Sequence, residues 1–198
     1  MRVVMLGPPG SGKGTHGALV AGALGVPHIS SSDLLRQHLQ GWTAAGHDAQ
    51  NTMAAGDLVD DDVMVRLVLE RLAEADAEPG FVLDGFPRNV AQAAALDDWL
   101  AERGCSLDAV VLLEVSRDVL LQRLGERNVS EGRADDDAPT IAHRLAVYET
   151  QTVPLIEYYA RQGVLRRVDG DGSVRAVAER ILAALRGSGR PPPSSEHP

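Results

Sequence analysis

Short apolar runs alternate along the chain with longer segments in which apolar residues recur every three or four positions. The apolar runs predict five β-strands, at residues 3–6, 26–29, 81–83, 109–115 and 164–168. The longer segments predict helices between them, the first over residues 13–24 and the last over residues 174–185. Strands that are almost wholly apolar and that alternate with helices are typical of a parallel sheet covered on both faces. We therefore predict an α/β fold, a five-stranded parallel sheet with helices on both faces.

The pattern of apolar residues lapses in three places. An insertion at residues 30–59 becomes polar and rich in Ala and Gly in its second half, and a polar flap occupies residues 126–138. Residues 187–198 contain three consecutive prolines and no periodicity, so we predict a disordered tail there. We assign residues 1–186 to a single domain. The helix after the polar flap is predicted to begin at Pro139 and to bend near Pro154.

The first predicted strand leads into residues 7–15, Gly-Pro-Pro-Gly-Ser-Gly-Lys-Gly-Thr, and then into the first helix. Glycines in such a turn let successive backbone N–H groups converge on one anion, and the helix N-terminus adds the positive end of its dipole. Lys13 supplies a mobile positive charge for the outer phosphates. The order of strand, loop and helix favours a phosphate-binding loop over a Gly/Pro-rich surface turn. Gly14 follows the lysine, and the hydroxyl comes one place later, at Thr15.

A second polar cluster, residues 84–88, follows the predicted central strand directly. Ligands in open α/β sheets bind beyond the carboxyl ends of the strands, so we favour a functional role over a plain turn. Asp84 is suited to a hydrated cation, and Arg88 is suited to a phosphate. Residues 60–62 are three acids ahead of an apolar helix, and we interpret them as caps of the helix dipole.

Composition restricts the possible partners. The chain has 198 residues, a hydrophobic share of 44% and a net charge of −9, which argues against nucleic-acid binding through a general basic surface. Any anion site must therefore be local. Cys105 is the only cysteine, which excludes an intramolecular disulfide or a cysteine-based zinc site and favours a reducing compartment. The apolar run at residues 3–6 is too short for a signal peptide or a membrane span, so a cytoplasmic location is expected.

In this order, the motifs resemble the nucleoside monophosphate kinase family, and within it the adenylate kinases with a short lid. The resemblance covers nearly the whole chain. It rests on the phosphate loop with its Gly14-Thr15 ending, on Ser30 to Arg36, on Asp84-Gly85-Phe86-Pro87-Arg88, on Gly132-Arg133-Ala134-Asp135-Asp136 as the lid, and on Arg127 and Arg144 at the expected spacings.

The resemblance implies a P-loop kinase that transfers the terminal phosphate of MgATP to AMP and yields two ADP. Residues 30–59 would form an AMP-binding insertion, and residues 126–138 would form the lid. The residues implied in ATP binding are Gly10, Ser11, Gly12, Lys13, Gly14, Thr15, Arg123, Arg127 and Gly172. Those implied in AMP binding are Ser31, Arg36, Asp57, Leu58, Val59, Gly85, Phe86, Pro87, Arg88, Gln92, Arg133 and Arg144. Those implied in catalysis are Lys13, Asp84, Arg88, Arg127, Arg133 and Arg144.

The resemblance also implies the cofactor and the partners. Mg²⁺ would be held mainly through the nucleotide and water near Thr15 and Asp84, without a direct set of protein ligands. No zinc is expected, because the long lid that carries zinc in some relatives is absent. The expected partners are ATP, AMP and ADP, with no nucleic acid and no membrane. A monomer is expected by analogy with the family.

The acceptor nucleotide is left open between AMP and a pyrimidine monophosphate, because UMP/CMP kinases share the same motifs. Gln92 and Ser31 favour AMP, since a glutamine amide can pair with the adenine edge and pyrimidine kinases tend to carry Asn and Ala at these positions. Asn89 favours the pyrimidine kinases, because adenylate kinases often have Thr there. A non-catalytic nucleotide sensor is a third alternative, and the full set of arginines argues against it.

The chain departs from the family pattern at three points. Ser32 replaces a usual Gly and is expected to stiffen the turn, and Asp57 replaces a usual Lys at a contact made largely through the backbone. Ala138-Pro139 replaces an acidic pair, so lid motion is expected to differ. No general base is expected, and the histidines at positions 28, 38, 47 and 143 are interpreted as surface or filler residues.

Overall fold

The structure is a computed structural model that describes residues 1–39, 60–131 and 138–187. Within these residues the sheet has five strands, all parallel, in the order β2-β3-β1-β4-β5. The strands are β1 Arg2–Leu6, β2 His28–Ser30, β3 Phe81–Asp84, β4 Ala109–Glu114 and β5 Leu165–Asp169. The predicted five-stranded parallel α/β sheet is confirmed. The order of the strands is additional information from the structure.

The helices connect consecutive strands and lie on both faces of the sheet. They are α1 Lys13–Leu24, α2 Ser31–Leu39, α3 Asp61–Leu72, α4 Val90–Ala101, α5 Arg117–Glu131, α6 Ala138–Val147, α7 Pro154–Arg161 and α8 Val174–Arg186. A short 3₁₀ turn, Ala75–Ala77, precedes β3, and a π-helical turn, Tyr148–Thr152, separates α6 from α7. No helix in the described part of the chain is both long and apolar enough to span a bilayer.

The central strand is β1, not the strand before residues 84–88 as predicted, and alternate residues of β1 pack into two separate hydrophobic cores. Val4 faces the core formed with α3, α4 and α7, whereas Val3 and Met5 face the core formed with α1 and α8. All three side chains are at most 1% exposed. The near-continuous apolar sequence of β1 is therefore explained by burial on both sides, as expected for a parallel sheet.

The second strand begins at His28 rather than at Val26, where the apolar pattern predicted it. The N–H of Val26 instead donates to Ala21 O at 3.1 Å and closes the C-terminus of α1, whose cap Gly25 has a φ of +67°. Pro27 has no N–H to donate. The first bond to β3 is therefore made by the carbonyl of Pro27, which accepts the Val82 N–H at 2.9 Å, and the regular strand follows from His28.

The helix that begins near Pro139 breaks earlier than predicted. Pro139 is the second residue of α6, as its position in a first turn predicted, but the regular helix ends at Val147. The Val153 N–H donates to Tyr148 O at 3.0 Å, a bond across five residues, and α7 begins at Pro154. Proline lacks the donor that an uninterrupted α-helix would need there, so the change of pitch precedes it.

Strand register sets up the functional edge of the sheet. Asp84, the last residue of β3, pairs with Met5 of β1 on one side and with Ser30 of β2 on the other. The loops that leave these three strands therefore start side by side. This edge is where ligands bind in open α/β sheets.

Candidate active site

A cavity of about 600 Å³ opens at the carboxyl ends of β1, β2 and β3. Its lining joins the phosphate loop to the turn after β3 and reaches side chains of α2, α4, α5 and α6. The predicted site residues that line it are Gly10, Gly12, Lys13, Gly14, Thr15, Ser31, Arg36, Asp84, Gly85, Pro87, Arg88, Gln92, Arg123 and Arg144. Residues that are far apart in the sequence thus share one cavity.

The phosphate loop depends on glycines with positive φ. Gly10 and Gly12 have φ of +81° and +87°, and a Cβ on Gly10 would lie 2.8 Å from Leu124 Cγ of α5. The buried Ser11 N–H donates to Pro8 O at 3.1 Å, which closes the turn. Lys13 Nζ donates to the carbonyls of Gly7 and Pro8, at 2.8 and 3.0 Å. The lysine ammonium is therefore held along the loop from which α1 begins.

The turn after β3 packs against the start of α2. Gly85 has a φ of +78°, and a Cβ there would lie only 2.5 Å from Ser31 Oγ. Arg88 Nε donates to Gly85 O at 2.8 Å, which folds the guanidinium back over the turn. The Phe86–Pro87 peptide is cis. Phe86 is 1% exposed and belongs to the core, so it supports the turn from below and does not line the cavity.

The electrostatics of the cavity suit an anion. Burial lowers the pKa of the Arg88 guanidinium, the nearby Asp84 carboxylate opposes this effect, and the positive charge of Arg144 adds to it. Burial and the charge of Arg144 thus both disfavour the charged form of Arg88, so that further negative charge in the cavity would stabilise it. A phosphate group provides such charge, with oxygens that match the planar fork of arginine.

Arg36 enters the cavity from α2 and is paired locally. Its guanidinium forms an ion pair and a hydrogen bond with Asp33, one turn earlier. Burial would raise the pKa of the Asp33 carboxyl, but hydrogen bonds from Arg36 and Ser30 outweigh it, so that the pKa is lowered. Both side chains are partly exposed, and such a pair contributes little to stability. It does orient Arg36 at the mouth of the cavity.

Asp61, Asn89 and Gln92 form a hydrogen-bond network beside the cavity. Asn89 Nδ2 donates to both carboxylate oxygens of Asp61, at 3.0 and 2.8 Å, and Gln92 Nε2 donates to Oδ1 at 2.7 Å. Asn89 Oδ1 also caps α4 by accepting the Gln92 N–H at 2.9 Å. The presence of Asn at position 89, as in the pyrimidine kinases, thus has a structural explanation. Here Asn89 caps α4 and binds Asp61.

The predicted cap at residues 60–62 is confirmed for Asp60. Its carboxylate accepts the N–H groups of Asp62 and Val63 at the start of α3, at 3.0 and 3.3 Å. Asp61, which the sequence indicated only as a further dipole cap, has the additional partners Asn89 and Gln92.

Arg123 of α5 joins two predicted parts of the ATP site. Its Nη2 donates to Gly170 O at 3.0 Å, and its Nη1 is 3.4 Å from Ser11 O of the phosphate loop. Gly172, two residues further on, is exposed and lies outside the residues that line the cavity. The structure therefore brings the turn after β5 to the cavity through Arg123 rather than through Gly172 itself.

Comparison with known proteins agrees with this geometry. The family model described as adenylate kinase matches residues 5–164. The chain belongs to the adenylate kinase family. It is 47% identical over 187 residues to an adenylate kinase of Stenotrophomonas maltophilia strain R551-3. The aligned residues cover 94% of this chain and 100% of that relative. Adenylate kinases are phosphotransferases, and the chain is an enzyme of that class.

Two further adenylate kinases show the same extent of similarity. The relative from Thermobifida fusca strain YX is 46% identical, over 94% of this chain and 98% of its own length. The relative from Xylella fastidiosa strain 9a5c is 49% identical, over 93% of this chain and 99% of its own length. These matches support the adenylate kinase interpretation over the UMP/CMP kinase alternative.

Several site residues that the adenylate kinase resemblance implies are not among the residues that the structure describes. Asp57, Leu58, Val59 and Arg133 lie outside the described residues, as do most of the predicted AMP-binding insertion, residues 132–137 of the predicted lid and nearly all of the predicted tail. Arg127 lies on α5, whose backbone continues to Glu131 through the first part of the predicted lid, but its side chain is outside the description. Their roles stay predictions.

Three residues near the site were missed by the sequence reasoning. Tyr148 and Thr152, in the π-helical turn, line the cavity, and Thr152 Oγ1 donates to Arg88 O at 2.8 Å. Burial and the charge of Glu114 raise the pKa of Tyr148 to about 12, so its hydroxyl stays protonated at neutral pH. Pro154 was the available signal for both residues, because a proline disturbs the helical bonding ahead of it.

The third missed residue, His16, lies on α1 directly behind the phosphate loop. Its side chain is 3% exposed, and a Cβ on Gly12 would lie 3.1 Å from its Cδ2. Its Nδ1 has no hydrogen-bond partner among the described residues. Burial lowers the pKa of His16, and the charge of Arg123 lowers it further. Its position one turn after Gly12 was the available signal.

Proposed function

We propose that the protein transfers the terminal phosphoryl group of MgATP to AMP and forms two ADP. The observation that carries the proposal is that one cavity is lined both by the phosphate loop, with Lys13, and by a second set of polar residues, Ser31, Arg88, Gln92 and Arg144. The two sets suit two nucleotides whose phosphates face each other. A cavity of this kind supports direct transfer between them.

The reaction needs alignment and charge neutralisation. An oxygen of the AMP phosphate forms a bond to the γ-phosphorus of ATP, while the bond to the β,γ-bridging oxygen breaks and its electron pair leaves with ADP. Phosphate monoesters are largely ionised at neutral pH, so the attacking oxygen needs no general base. Catalysis of such a step depends on positioned positive charge.

The donor side of the cavity is assigned to ATP. The backbone N–H groups of residues 10–15 and the N-terminus of α1 would bind its phosphates, with Lys13 as the mobile charge. Arg123 would lie along the same nucleotide, since it already joins the phosphate loop to the loop after β5. Arg127 and Gly172 are assigned to ATP by family analogy.

The acceptor side is assigned to AMP. Arg36, Arg88 and Arg144 would bind its phosphate, and Ser31 and Gln92 would face the nucleoside. These cations are concentrated in a chain whose net charge is −9, which supports a local anion site. Arg133 and the backbone of residues 57–59 are assigned to AMP and to lid closure by family analogy. Exclusion of water by the lid would prevent hydrolysis of ATP.

The residues beside the phosphate loop fit a hydrated magnesium ion. Asp84 Oδ1 is buried and has no hydrogen-bond partner among the described residues, and Thr15 lines the same cavity. Mg²⁺ prefers oxygen ligands and keeps much of its water, so Asp84 and Thr15 would hold it through water and the nucleotide. When bound with ATP, the ion neutralises phosphate charge.

We propose that the enzyme acts as a monomer in the cytoplasm, on free nucleotides.

The proposal is tested with a panel of acceptors. ADP formation from ATP and Mg²⁺ is measured with AMP, CMP, UMP and GMP, and kcat/KM is compared. We expect the highest value for AMP. A higher kcat/KM for CMP or UMP would instead establish a pyrimidine monophosphate kinase. No turnover with any acceptor, although ATP and AMP both bind, would establish a non-catalytic nucleotide-binding protein.

A further inference from the structure

The side-chain amide of Gln92 is held at both ends. Its Oε1 accepts the backbone N–H of Arg88 at 2.8 Å, and its Nε2 donates to Asp61 Oδ1 at 2.7 Å. Gln92 is 2% exposed, yet it lines the cavity. Its amide is therefore fixed within the wall of the proposed AMP site.

The two partners permit only one orientation of the amide. A backbone N–H can only donate, and an ionised carboxylate can only accept. Rotation of the amide by half a turn would place Nε2 against the N–H of Arg88 and Oε1 against the carboxylate of Asp61. Both contacts would be repulsive, and each would leave a buried polar group without a partner.

Asp61 is itself held in place. Asn89 Nδ2 donates to both of its carboxylate oxygens, and Asn89 in turn caps α4 by accepting the Gln92 N–H. The carboxylate, the capping amide and the glutamine thus form a closed network between α3 and α4. Networks in which every member is satisfied restrict side-chain orientation most strongly.

We propose that Asp61 is a positioning residue that makes the acceptor site select 6-aminopurine over 6-oxopurine monophosphates. This proposal rests on the proposed function, and it concerns how the base is recognised. Each end of the fixed Gln92 amide keeps one further bonding position, a lone pair on Oε1 and an N–H on Nε2. Their places relative to the cavity are set by Asp61 and by the Arg88 backbone.

Adenine carries a hydrogen-bond donor at position 6, whereas hypoxanthine carries an acceptor there. Adenine has an amino donor next to a ring nitrogen acceptor, and a glutamine amide pairs with both. Hypoxanthine has a carbonyl acceptor at position 6, which would face Oε1 of the fixed amide. An amide that was free to turn would donate from Nε2 to that carbonyl.

The expected preference for AMP over IMP follows from the free energy that an amide contributes when both of its ends pair with the base. A good bidentate contact discriminates against the wrong base by a free energy that corresponds to roughly a tenfold or larger effect. We therefore expect kcat/KM for AMP to exceed that for IMP by at least about tenfold in the unmodified enzyme, with most of the difference in KM.

The decisive variant is Asp61→Asn, with Asp62→Asn as the matched control. Asparagine is close in shape to Asp, but its amide can donate or accept, so it removes one of the two constraints on the Gln92 amide, while the bond from the Arg88 N–H remains. Asp62 is an exposed acid in the same first turn of α3, and its variant removes the same charge from the same helix. We expect Asp61→Asn to reduce the ratio of kcat/KM for AMP to that for IMP by roughly threefold or more, a part of the full discrimination, because the Arg88 N–H still favours the original orientation. Asp62→Asn should leave the ratio unchanged.

A second background separates positioning from general destabilisation. In Gln92→Met, which has no amide to orient, adding Asp61→Asn should leave the AMP to IMP ratio unchanged. If Asp61→Asn does not fold, Asn89→Ser is used instead, because it keeps a cap for α4 but removes the donor to Asp61. That variant should also lower the ratio.

The possible outcomes separate the two proposals. An unmodified enzyme that does not use AMP would overturn the proposed function. An enzyme that uses AMP but does not discriminate against IMP would overturn the present inference alone. So would an Asp61→Asn variant that folds, uses AMP and keeps the full ratio, or a change of ratio that persists in the Gln92→Met background.

Discussion

The carboxylate of Asp84 lies against Gly14, where an added Cβ would be only 3.3 Å from Asp84 Oδ2. The first turn of α1 therefore approaches the carboxyl end of β3 closely on the side of this carboxylate. The contact favours glycine after Lys13, because a side chain there would press on Asp84. It places the carboxylate that would order the water of Mg²⁺ beside the phosphate loop.

Gly14→Ala is expected to lower kcat by about tenfold, because a displacement well below 1 Å at positioned groups is already costly. The new methyl would press on the Asp84 carboxylate, since 3.3 Å is closer than ordinary van der Waals contact. The melting temperature should change little, because alanine also favours the helix. Steady-state kinetics and thermal unfolding check both expectations.

Gly22→Ala is the matched control on the same helix. A Cβ at Gly22 meets nothing within 4 Å, and the residue is exposed. We expect an increase in the free energy of unfolding of about 0.5–1 kcal/mol, with unchanged kcat. Equal kcat in the two variants would show that the contact between Gly14 and Asp84 has no role in catalysis.

Arg88→Ala is expected to lower kcat by about 10²–10³-fold, the usual effect of removing one positioned donor to developing charge. The guanidinium is held at the cavity by its bond to Gly85 O, where we propose that it binds phosphate. Arg103→Ala is the control, because Arg103 stacks on Trp99, at 3.8 Å, outside the cavity lining. If Arg88→Ala kept more than half of the activity, the assignment of this arginine would be wrong.

Ser31→Ala is expected to raise KM for AMP by roughly three- to tenfold while leaving kcat unchanged, the effect of losing one hydrogen bond. Ser31 Oγ is fully buried and has no hydrogen-bond partner among the described residues, although Ser31 lines the cavity. Stability should not fall, because an unsatisfied hydroxyl is removed.

Ser173→Ala is the control, because it should lower stability without changing KM for AMP. Ser173 Oγ caps α8 by accepting the Ala176 N–H at 3.3 Å. Its loss should lower the free energy of unfolding by about 1 kcal/mol and leave KM unchanged. A rise in KM in both variants, in proportion to lost stability, would remove the case for Ser31 as an AMP contact.

His16 should make stability depend on pH. Its pKa in the folded protein is lowered from the usual 6.5, first by burial and then by the charge of Arg123. Between the lowered pKa and 6.5 the unfolded chain binds more protons at this site, so stability is lost as the pH falls through that window. Urea unfolding at pH 7.5 and at about pH 5 should show a smaller loss in His16→Gln than in the unmodified protein. An equal loss would contradict the assignment.

The features that the sequence predicted well are those whose chemistry is local. The phosphate loop and the turn at residues 84–88 each combine an apolar strand with Gly or Pro and a charged residue within a few positions. The end of α1 at Gly25 was predicted for the same reason, because a left-handed glycine cap is a local signal.

The features that were missed depend on contacts between distant segments. Asp61 looked like one of three dipole caps, and its partners Asn89 and Gln92 are 28 and 31 residues away. His16 was given no role from the sequence, and its packing behind Gly12 shows that it is buried. The exact end of α6 at Val147 depends on the backbone bond from Val153 N–H to Tyr148 O, which the pattern of side chains does not predict.

The proposed function depends on direct phosphoryl transfer from ATP to AMP in the cavity beyond β1, β2 and β3. The most direct measurement follows ATP labelled in its γ-phosphoryl group, in the presence of Mg²⁺ and AMP, with Lys13→Met as the inactive control. We expect the label in ADP formed from AMP, two ADP for each ATP consumed, and no AMP-dependent label in inorganic phosphate. Label that appears only in inorganic phosphate, or no transfer when both nucleotides are bound, would contradict the claim.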